Sequence, residues 1–469
     1  MRVTTVPSVL TSIIILVHNK LEYTRQCIES IRLYTEPGSY EFIVVDNNST
    51  DGTREWIQTQ NDIIGIFNPT NLGFPAGCNQ GISRARGSEI LLLNNDTIVT
   101  RNWLSGLREC LYSADDVGAV GPVSNSCSYY QNVATDYKDL NEMQGFSDKY
   151  RAVNRGRWEE RIKLIGFCML IKREIVDSVG LLDERFSPGN FEDDDYSFRI
   201  QQAGYRLLLC RDVFIHHYGS TTFKDDIEKS NSILQESENK FVDKWGFSSS
   251  YSCNIRYDLI QLMGVDMANI PIRVLEIGCA CGATLLQIKN QFPKAELYGV
   301  ELNQHAATLA QRFANIQDAD VEKVINYPDN FFDYILLPDV LEHLYNPWSV
   351  LENLRRVLKD SGTIIASIPN TMHVSVVRAL MQGLWTYTEQ GLLDRTHIRF
   401  FTYAEIDKMF KSNGYSKITY SANILASPED ESWIHKISNI VPQIDPIQYK
   451  VYQYLVSAQK TDPIGDITT

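Results

Sequence analysis

Residues 89–96 read Glu-Ile-Leu-Leu-Leu-Asn-Asn-Asp, an apolar run ending in two amides and a carboxylate. Four branched aliphatic residues in succession suit a strand buried on both faces of a parallel sheet. The carboxyl edge of such a sheet is where open α/β folds bind ligands. Asp96 there offers one hard oxygen to a divalent cation, and that cation can bridge a diphosphate; a solvated turn is the plain alternative. A second acidic cluster, Glu192-Asp193-Asp194-Asp195, fits a helix start, where negative charge favours the macrodipole. The pair His216-His217 follows it. Further on, Glu276-Ile277-Gly278-Cys279-Ala280-Cys281-Gly282 leaves an apolar run for a glycine-marked turn. Glycines let backbone approach a nucleoside closely, and a helix start offers free N–H groups. Glu301 ends the next apolar run roughly 20 residues later, a spacing that suits ribose hydroxyls. On spacing alone a nicotinamide-binding fold competes for this half.

The elements that must hold these groups alternate. Strand patterns at 12–17, 41–45, 63–67 and 90–93 are separated by helical patterns at 21–33, 53–60 and 76–85, the mark of a mostly parallel sheet. From 124 to 160 the pattern weakens, which predicts a long functional loop or lid. Order resumes at 164–172, with a helix over 193–203, strands near Leu207 and Val213, and a charged surface helix over 224–244. A Ser- and Gly-marked stretch suggests a linker. A second strand–helix series then begins, with strands at 273–277, 296–300, 334–337 and 363–367. The expected division is 1–246, a linker over 247–270, a second domain over 271–425 and an extension over 426–469 without a chemical signature.

At 469 residues the chain exceeds a single core. Its net charge of −14 argues against a nucleic-acid partner, which needs a positive footprint. Nine cysteines, an odd number without paired spacing, read as reduced thiols of a cytoplasmic protein. Cys279 and Cys281 alone cannot make a four-ligand zinc site. The run Ile13–Val17 is too short for a signal-peptide core or a membrane span. The expected location is the cytoplasm, free or peripheral at the inner face of a membrane.

His18-Asn19, Asp46-Asn47-Asn48-Ser49-Thr50-Asp51-Gly52, Asn71-Leu72-Gly73-Phe74, Asn79-Gln80-Gly81 and Asn94-Asn95-Asp96 follow one another in the order of a known pattern. Residues 10–245 strongly resemble the family 2 glycosyltransferases, which have a GT-A fold and use nucleotide sugars. The resemblance implies that Asp46 bonds the nucleotide base, with Val17, His18, Asn19, Asn71, Gly73, Asn79, Asn94 and Asn95 lining the nucleotide-sugar site. It makes Asp96 the last acid of the metal motif, carrying Mg²⁺ or Mn²⁺ against the diphosphate, which must be neutralised as it departs. Here the motif reads Asn-Asn-Asp rather than Asp-x-Asp, so one acid anchors the metal. His217 is implied to complete that site, with His216 a strand residue. Asp193 is implied to be the general base that deprotonates the acceptor hydroxyl, giving inversion. Glu192 and Asp195 would orient the acceptor or cap the helix, and Gly166-Phe167-Cys168-Met169 resembles the floor of the acceptor site.

Glu276-x-Gly-x-x-x-Gly, Glu301, Pro338-Asp339-Val340-Leu341-Glu342-His343-Leu344 and Leu393-Asp394-Arg395-Thr396-His397-Ile398-Arg399-Phe400-Phe401 resemble class I S-adenosylmethionine-dependent methyltransferases over 260–425. By that resemblance Glu276, Gly278, Cys279 and Gly282 line the methionine side of the cofactor, Glu301 holds its ribose and Asp339 lies beside it. Ala280 replaces the usual middle glycine. His343 and His397 are candidate bases for methyl transfer, against a packing role for each.

The fold class expected is therefore α/β, with two doubly wound domains: a GT-A nucleotide-sugar-binding domain, then a Rossmann-like methyltransferase domain. The function expected is a metal-dependent transfer of a hexosyl or rhamnosyl unit, with inversion, from a UDP- or dTDP-linked sugar to a saccharide or lipid-linked glycan. Methylation of the same glycan, at a hydroxyl, would follow. The alternative keeps the second domain as a non-catalytic docking module, and Ala280 favours it.

Overall fold

The computed structural model describes residues 9–219, 227–264, 270–323 and 325–460. They form two compact units, Met1–Asn254 and Ile255–Thr469.

The first unit is built on a sheet of β1 (Thr11–Val17), β2 (Tyr40–Asp46), β3 (Ile63–Phe67), β4 (Glu89–Asn94), β5 (Thr97–Ile98), β6 (Val117–Ser124), β7 (Trp158–Arg161), β8 (Cys168–Lys172) and β9 (Arg206–His217). The order is β3-β2-β1-β4-β8-β6-β9-β5, with β7 on β9. β1 to β4 are parallel; β8 runs against β4. Alternation explains why the apolar strands sit at the centre. Ile13, Ile15, Leu91 and Leu93 pack into one core, while Ile14, Ile43, Ile90 and Leu92 pack into another on the opposite face. Each such side chain contributes roughly 1.5–3 kcal/mol on leaving water.

Register then places the chemistry. Val17 lies opposite Asp46 and Leu16 opposite Asn94, so the polar tips of β1, β2 and β4 emerge at one edge. The antiparallel pairing of β5 with β9 sets Thr97 against His217, which returns the histidine to the tip of β4.

Two expectations need correction here. The stretch 124–160 is not a loop throughout: a helix spans Leu140–Asn154, capped by the Asp139 carboxylate accepting from Asn141 N and Glu142 N. Its buried residues are Met143, Gln144 and Ser147, too few and too polar to show as an apolar stripe. The strands expected near Leu207 and Val213 are one twelve-residue strand, β9, whose register against β6 shifts between Pro122 and Val123. Of the charged helix over 224–244, Lys224 lies outside the described residues, and the helix runs Ile227–Trp245.

Residues 247–264, expected within a linker, are packed rather than loose. Short helices occupy Ser249–Ser252 and Tyr257–Gln261, and Phe247, Cys253, Ile255, Leu259, Ile260 and Met263 are buried. Residues 265–269 of that stretch lie outside the described residues.

The second unit carries β10 (Arg273–Ile277), β11 (Glu296–Glu301), β12 (Asn315–Asp318), β13 (Phe332–Pro338), β14 (Leu358–Pro369), β15 (Tyr415–Ile424) and β16 (Val451–Lys460). The order is β12-β11-β10-β13-β14-β16-β15. β10 to β14 are parallel, and β16 runs antiparallel to both β14 and β15. This corrects the end expected at 425. β16 is an integral strand, and Val451, Tyr454, Leu455, Val456 and Ala458 are in the core.

Candidate active sites

In the first unit a cavity of about 1410 Å³ opens at the edge where β1, β2 and β4 end. That volume exceeds the range of most small-ligand pockets, so two substrates can share it. Val17, His18, Asn19, Asn71, Gly73, Asn94, Asn95, Asp96, Asp193 and His217 all line it. His18 Nδ1 lies 2.8 Å from Asn47 O. Asn71 is fixed by the Gly73 N–H at 2.9 Å and by Asn47 Nδ2 at 3.2 Å. Gly73 adopts φ +84°, and a Cβ there would stand 2.8 Å from the Pro188 backbone. No other residue fits that approach.

The tip of β4 faces His217. Nδ1 of that ring donates to Ser126 O at 2.7 Å, which leaves Nε2 turned to Asp96 Oδ1 at 3.1 Å. Asn125 pins the His217 backbone from both sides, accepting from its N–H at 2.9 Å and donating to its carbonyl at 3.1 Å. The ring of Phe167 stacks on the imidazole with centroids 5.2 Å apart. Burial works to lower the His217 pKa, but the Asp96 hydrogen bond and charge outweigh it and hold the pKa above the usual value. An imidazole nitrogen held against a carboxylate oxygen, its other nitrogen locked on a carbonyl, is a donor set suited to a divalent cation.

Asp193 lies on the same cavity wall. One carboxylate oxygen accepts from Gly166 N at 2.8 Å and the other from Asp194 N at 2.9 Å. Burial, reinforced by the Asp194 charge, pushes its pKa up to about 6. A base poised there is ionised at neutral pH yet basic enough to take a proton. Asp194 is held by Lys163 at 2.6 Å and by Ser249 Oγ at 2.5 Å. Glu192 lines the cavity too; it is buried and its Oε2 has no hydrogen-bond partner. Burial and the Asp193 charge push its pKa well above the usual carboxylate value.

Other expected site residues stand apart from this cavity. Asp46 is fully buried, ion-paired to Arg54 Nε at 2.8 Å and accepting from Ser49 N at 3.1 Å. Asn79 joins its helix to the segment beyond: Nδ2 donates to Leu182 O at 2.9 Å, and Oδ1 accepts from Leu182 N at 3.0 Å. Asp195 anchors the 227–245 helix through Lys244 at 2.5 Å and Trp245 Nε1 at 2.9 Å. His216 packs away from the metal-type pair, with Nδ1 2.6 Å from Tyr137 Oη. Ser220, three residues beyond His217, lies outside the described residues.

In the second unit the glycine turn follows β10. Gly278, Ala280 and Gly282 all take positive φ, at +69°, +47° and +77°. Gly282 has no room for a side chain, since a Cβ would meet Phe313 at 2.8 Å and Ala310 at 2.9 Å. Ala280 bears a left-handed conformation that costs an L-residue about 1–2 kcal/mol. Glu301 spans the turn, accepting from Ala280 N and Asn303 N, each at 2.7 Å. Glu276 is buried, its Oε2 lacks a partner, and burial pushes its pKa up to about 8. Cys279 is buried in the turn. Asp339 is engaged by Arg256 at 2.5 Å, by Ser367 Oγ at 3.0 Å and by Gln453. The rings of His343 and His397 stand edge to face with centroids 4.8 Å apart. A turn open to backbone approach, a carboxylate across it and a buried acid with one unpartnered oxygen beneath it fit a nucleoside that also carries an ammonium group.

Residues 12–180 match the model of glycosyl transferase family 2, and residues 256–420 match that of a methyltransferase domain. The chain joins a family 2 glycosyltransferase domain to a methyltransferase domain. Glycosyltransferase AglE of Haloferax volcanii is 27% identical over 211 residues, covering 44% of this chain and 66% of that protein. O-antigen biosynthesis protein RfbC of Myxococcus xanthus is 24% identical over 238 residues, covering 47% and 18%. Methyltransferase str3 of Strobilurus tenacellus is 28% identical over 113 residues, covering 24% and 40%. The chain thus spans less than two thirds of the length of each of these relatives. Both fold expectations hold: a GT-A-type domain first and a Rossmann-like methyltransferase domain second.

Sequence reasoning missed several residues of both domains. In the glycosyltransferase domain these are Asn125 and Ser126, which fix His217, and the Lys163–Ser249 pair that holds Asp194. Tyr129 and Tyr130 also line its cavity, in left-handed conformations of φ +50° and +59°. In the methyltransferase domain Arg256 and Gln453 hold Asp339 from 83 and 114 positions away. An aromatic pair in a polar stretch was the available signal for the tyrosines; the others carry none, because their partners are remote in sequence.

Proposed function

We propose that the protein transfers a sugar from a nucleotide sugar to a saccharide or lipid-linked glycan acceptor with inversion, and then methylates a hydroxyl of the same glycan. The observation that carries the first half is the shared cavity: Asp193, with its raised pKa, lies on the same wall system as the Asp96–His217 pair. Asp96 and His217 would hold Mg²⁺ or Mn²⁺, which supplies charge neutralisation for the departing diphosphate. Asn94, Asn95, His18, Asn19 and Asn71 supply hydrogen bonds along the donor. Asp193 takes the acceptor proton onto a carboxylate oxygen, while Gly166 N–H orients that carboxylate. Glu192 meets the acceptor through its unpartnered carboxyl oxygen. The likeness to an O-antigen biosynthesis protein supports a surface-glycan acceptor, and the donor would be a UDP- or dTDP-linked hexose or rhamnose. The same reading puts the protein in the cytoplasm or against the inner membrane face; no described helix is long and apolar enough to cross a membrane.

In the second domain the cofactor is S-adenosylmethionine, which supplies an electrophilic methyl group when bound. Glu276 would face its ammonium, Glu301 its ribose, and the 278–282 turn its nucleoside. Alignment accounts for most of the rate in such a transfer. A docking role without turnover is the second reading, favoured by the left-handed Ala280. Transfer assays with UDP- and dTDP-sugars and Mn²⁺, wild type against Asp193→Asn, test the first activity. Calorimetry with S-adenosylmethionine tests the second: absence of heat leaves the docking reading standing.

A further inference from the structure

Glu342 is a buried acid of the methyltransferase domain. It is 1% exposed, and neither carboxylate oxygen has a hydrogen-bond partner. Burying such a group without a partner costs several kcal/mol. Protonation or a bound cation relieves that cost.

The neighbours are two imidazoles. Glu342, His343 and His397 each offer one ligand atom, and these atoms lie within 4.8 Å of one another. Two segments converge to make the group. His343 follows Glu342 directly. His397 comes from the 394–399 loop, which the Glu342 backbone carbonyl clamps by accepting from Ile398 N and Arg399 N, each at 2.9 Å. Both rings are oriented by carbonyls: His343 Nδ1 lies 3.2 Å from Thr396 O, and His397 Nδ1 lies 3.2 Å from Leu392 O. Protonation at Nδ1 leaves Nε2 as the lone-pair atom on each ring, the arrangement that metal-bound histidines use.

We propose that Glu342, His343 and His397 form a divalent-cation site in the methyltransferase domain. Two imidazoles with one carboxylate favour a first-row transition-metal ion such as Zn²⁺, Mn²⁺ or Fe²⁺ over Ca²⁺ or Mg²⁺, which take oxygen ligands. Ligands about 2.1 Å from one ion stand about 3.4 Å apart in a tetrahedron. The widest separation therefore closes by up to about 1.4 Å on binding, which the half-buried His343 side chain can accommodate. Three protein ligands leave at least one coordination position open, as in catalytic rather than structural sites. An acceptor hydroxyl would take that position; this role, unlike the cation site itself, rests on the methyl-transfer reading.

Cobalt(II) titration of the chelator-stripped full-length protein tests the site, read by visible absorption and by bound equivalents. An Asp96→Ala variant removes the other candidate metal position. That variant is expected to retain one cobalt equivalent. Adding His343→Asn or His397→Asn is expected to weaken that equivalent at least tenfold. The proposal is overturned if Asp96→Ala alone binds no cobalt, or if His343→Asn leaves the retained equivalent unchanged. His343→Asn decides if His397→Asn fails to fold, since His343 is the more exposed ring. Parallel calorimetry with S-adenosylmethionine separates the two ideas: cobalt binding without cofactor heat sinks the methyl-transfer reading and keeps the site.

Discussion

Replacing Asp193 by Asn should stabilise the protein while abolishing sugar transfer. Burial and the Asp194 charge raise the Asp193 pKa from 3.8 to about 6. An acid whose folded pKa exceeds its unfolded one destabilises the native state as pH rises through that interval. The loss begins near pH 3.8 and is complete above pH 6. It amounts to about 3 kcal/mol at pH 8 and about half of that at pH 5. Asn removes this loss but keeps one oxygen for two N–H donors, Gly166 N and Asp194 N, at a cost of about 1–2 kcal/mol. The net gain is about 1–2 kcal/mol at pH 8, vanishing near pH 5. The assay is the thermal transition of the full chain that UDP and Mn²⁺ shift upward, which marks the glycosyltransferase domain. At about 2–4 °C per kcal/mol, Asp193→Asn should raise it by about 2–8 °C at pH 8. Transfer should fall by 10²–10⁴. Wild-type kcat/KM should drop about tenfold from pH 7 to pH 5 as the base is protonated. A variant that melts below wild type at pH 8, or an advantage that does not shrink toward pH 5, would refute the reasoning.

Three further outcomes follow from the same geometry. Asp96→Ala and His217→Ala should each weaken Mn²⁺-dependent UDP binding by at least tenfold in calorimetry, with UDP binding in chelator much less affected. Binding of S-adenosylmethionine at pH 7 should release nearly one proton. Glu276, at a pKa of about 8, is mostly protonated before an ammonium arrives, and the heat should vary with the buffer's ionisation enthalpy; a buffer-independent heat would count against Glu276 facing the ammonium. Ala280→Gly should raise the methyltransferase transition by relieving about 1 kcal/mol of left-handed strain, read by thermal melting.

The central strands were legible because a parallel sheet covered on both faces demands continuous apolar runs, and 13–17 and 90–93 are such runs. Asp96, Asp193 and His217 were placed by motif order, and the register of β1 with β4 and of β5 with β9 explains why they share a cavity. The helix Leu140–Asn154 was hidden because its buried residues are one Met, one Gln and one Ser, which give no apolar stripe. Asp46 was assigned a ligand contact, whereas Arg54, eight residues on, occupies its carboxylate. β16 was illegible for a different reason: a strand between two antiparallel neighbours is defined by their edges rather than by any period of its own.

That inserted strand constrains how the chain comes off the ribosome. β14 and β15 each expose an unpaired edge until residues 451–460 have been made, so the earlier domain can finish folding while the later one still waits. A gene fragment ending at residue 425 would translate into a protein with two sticky borders, and its product should accumulate in inclusion bodies.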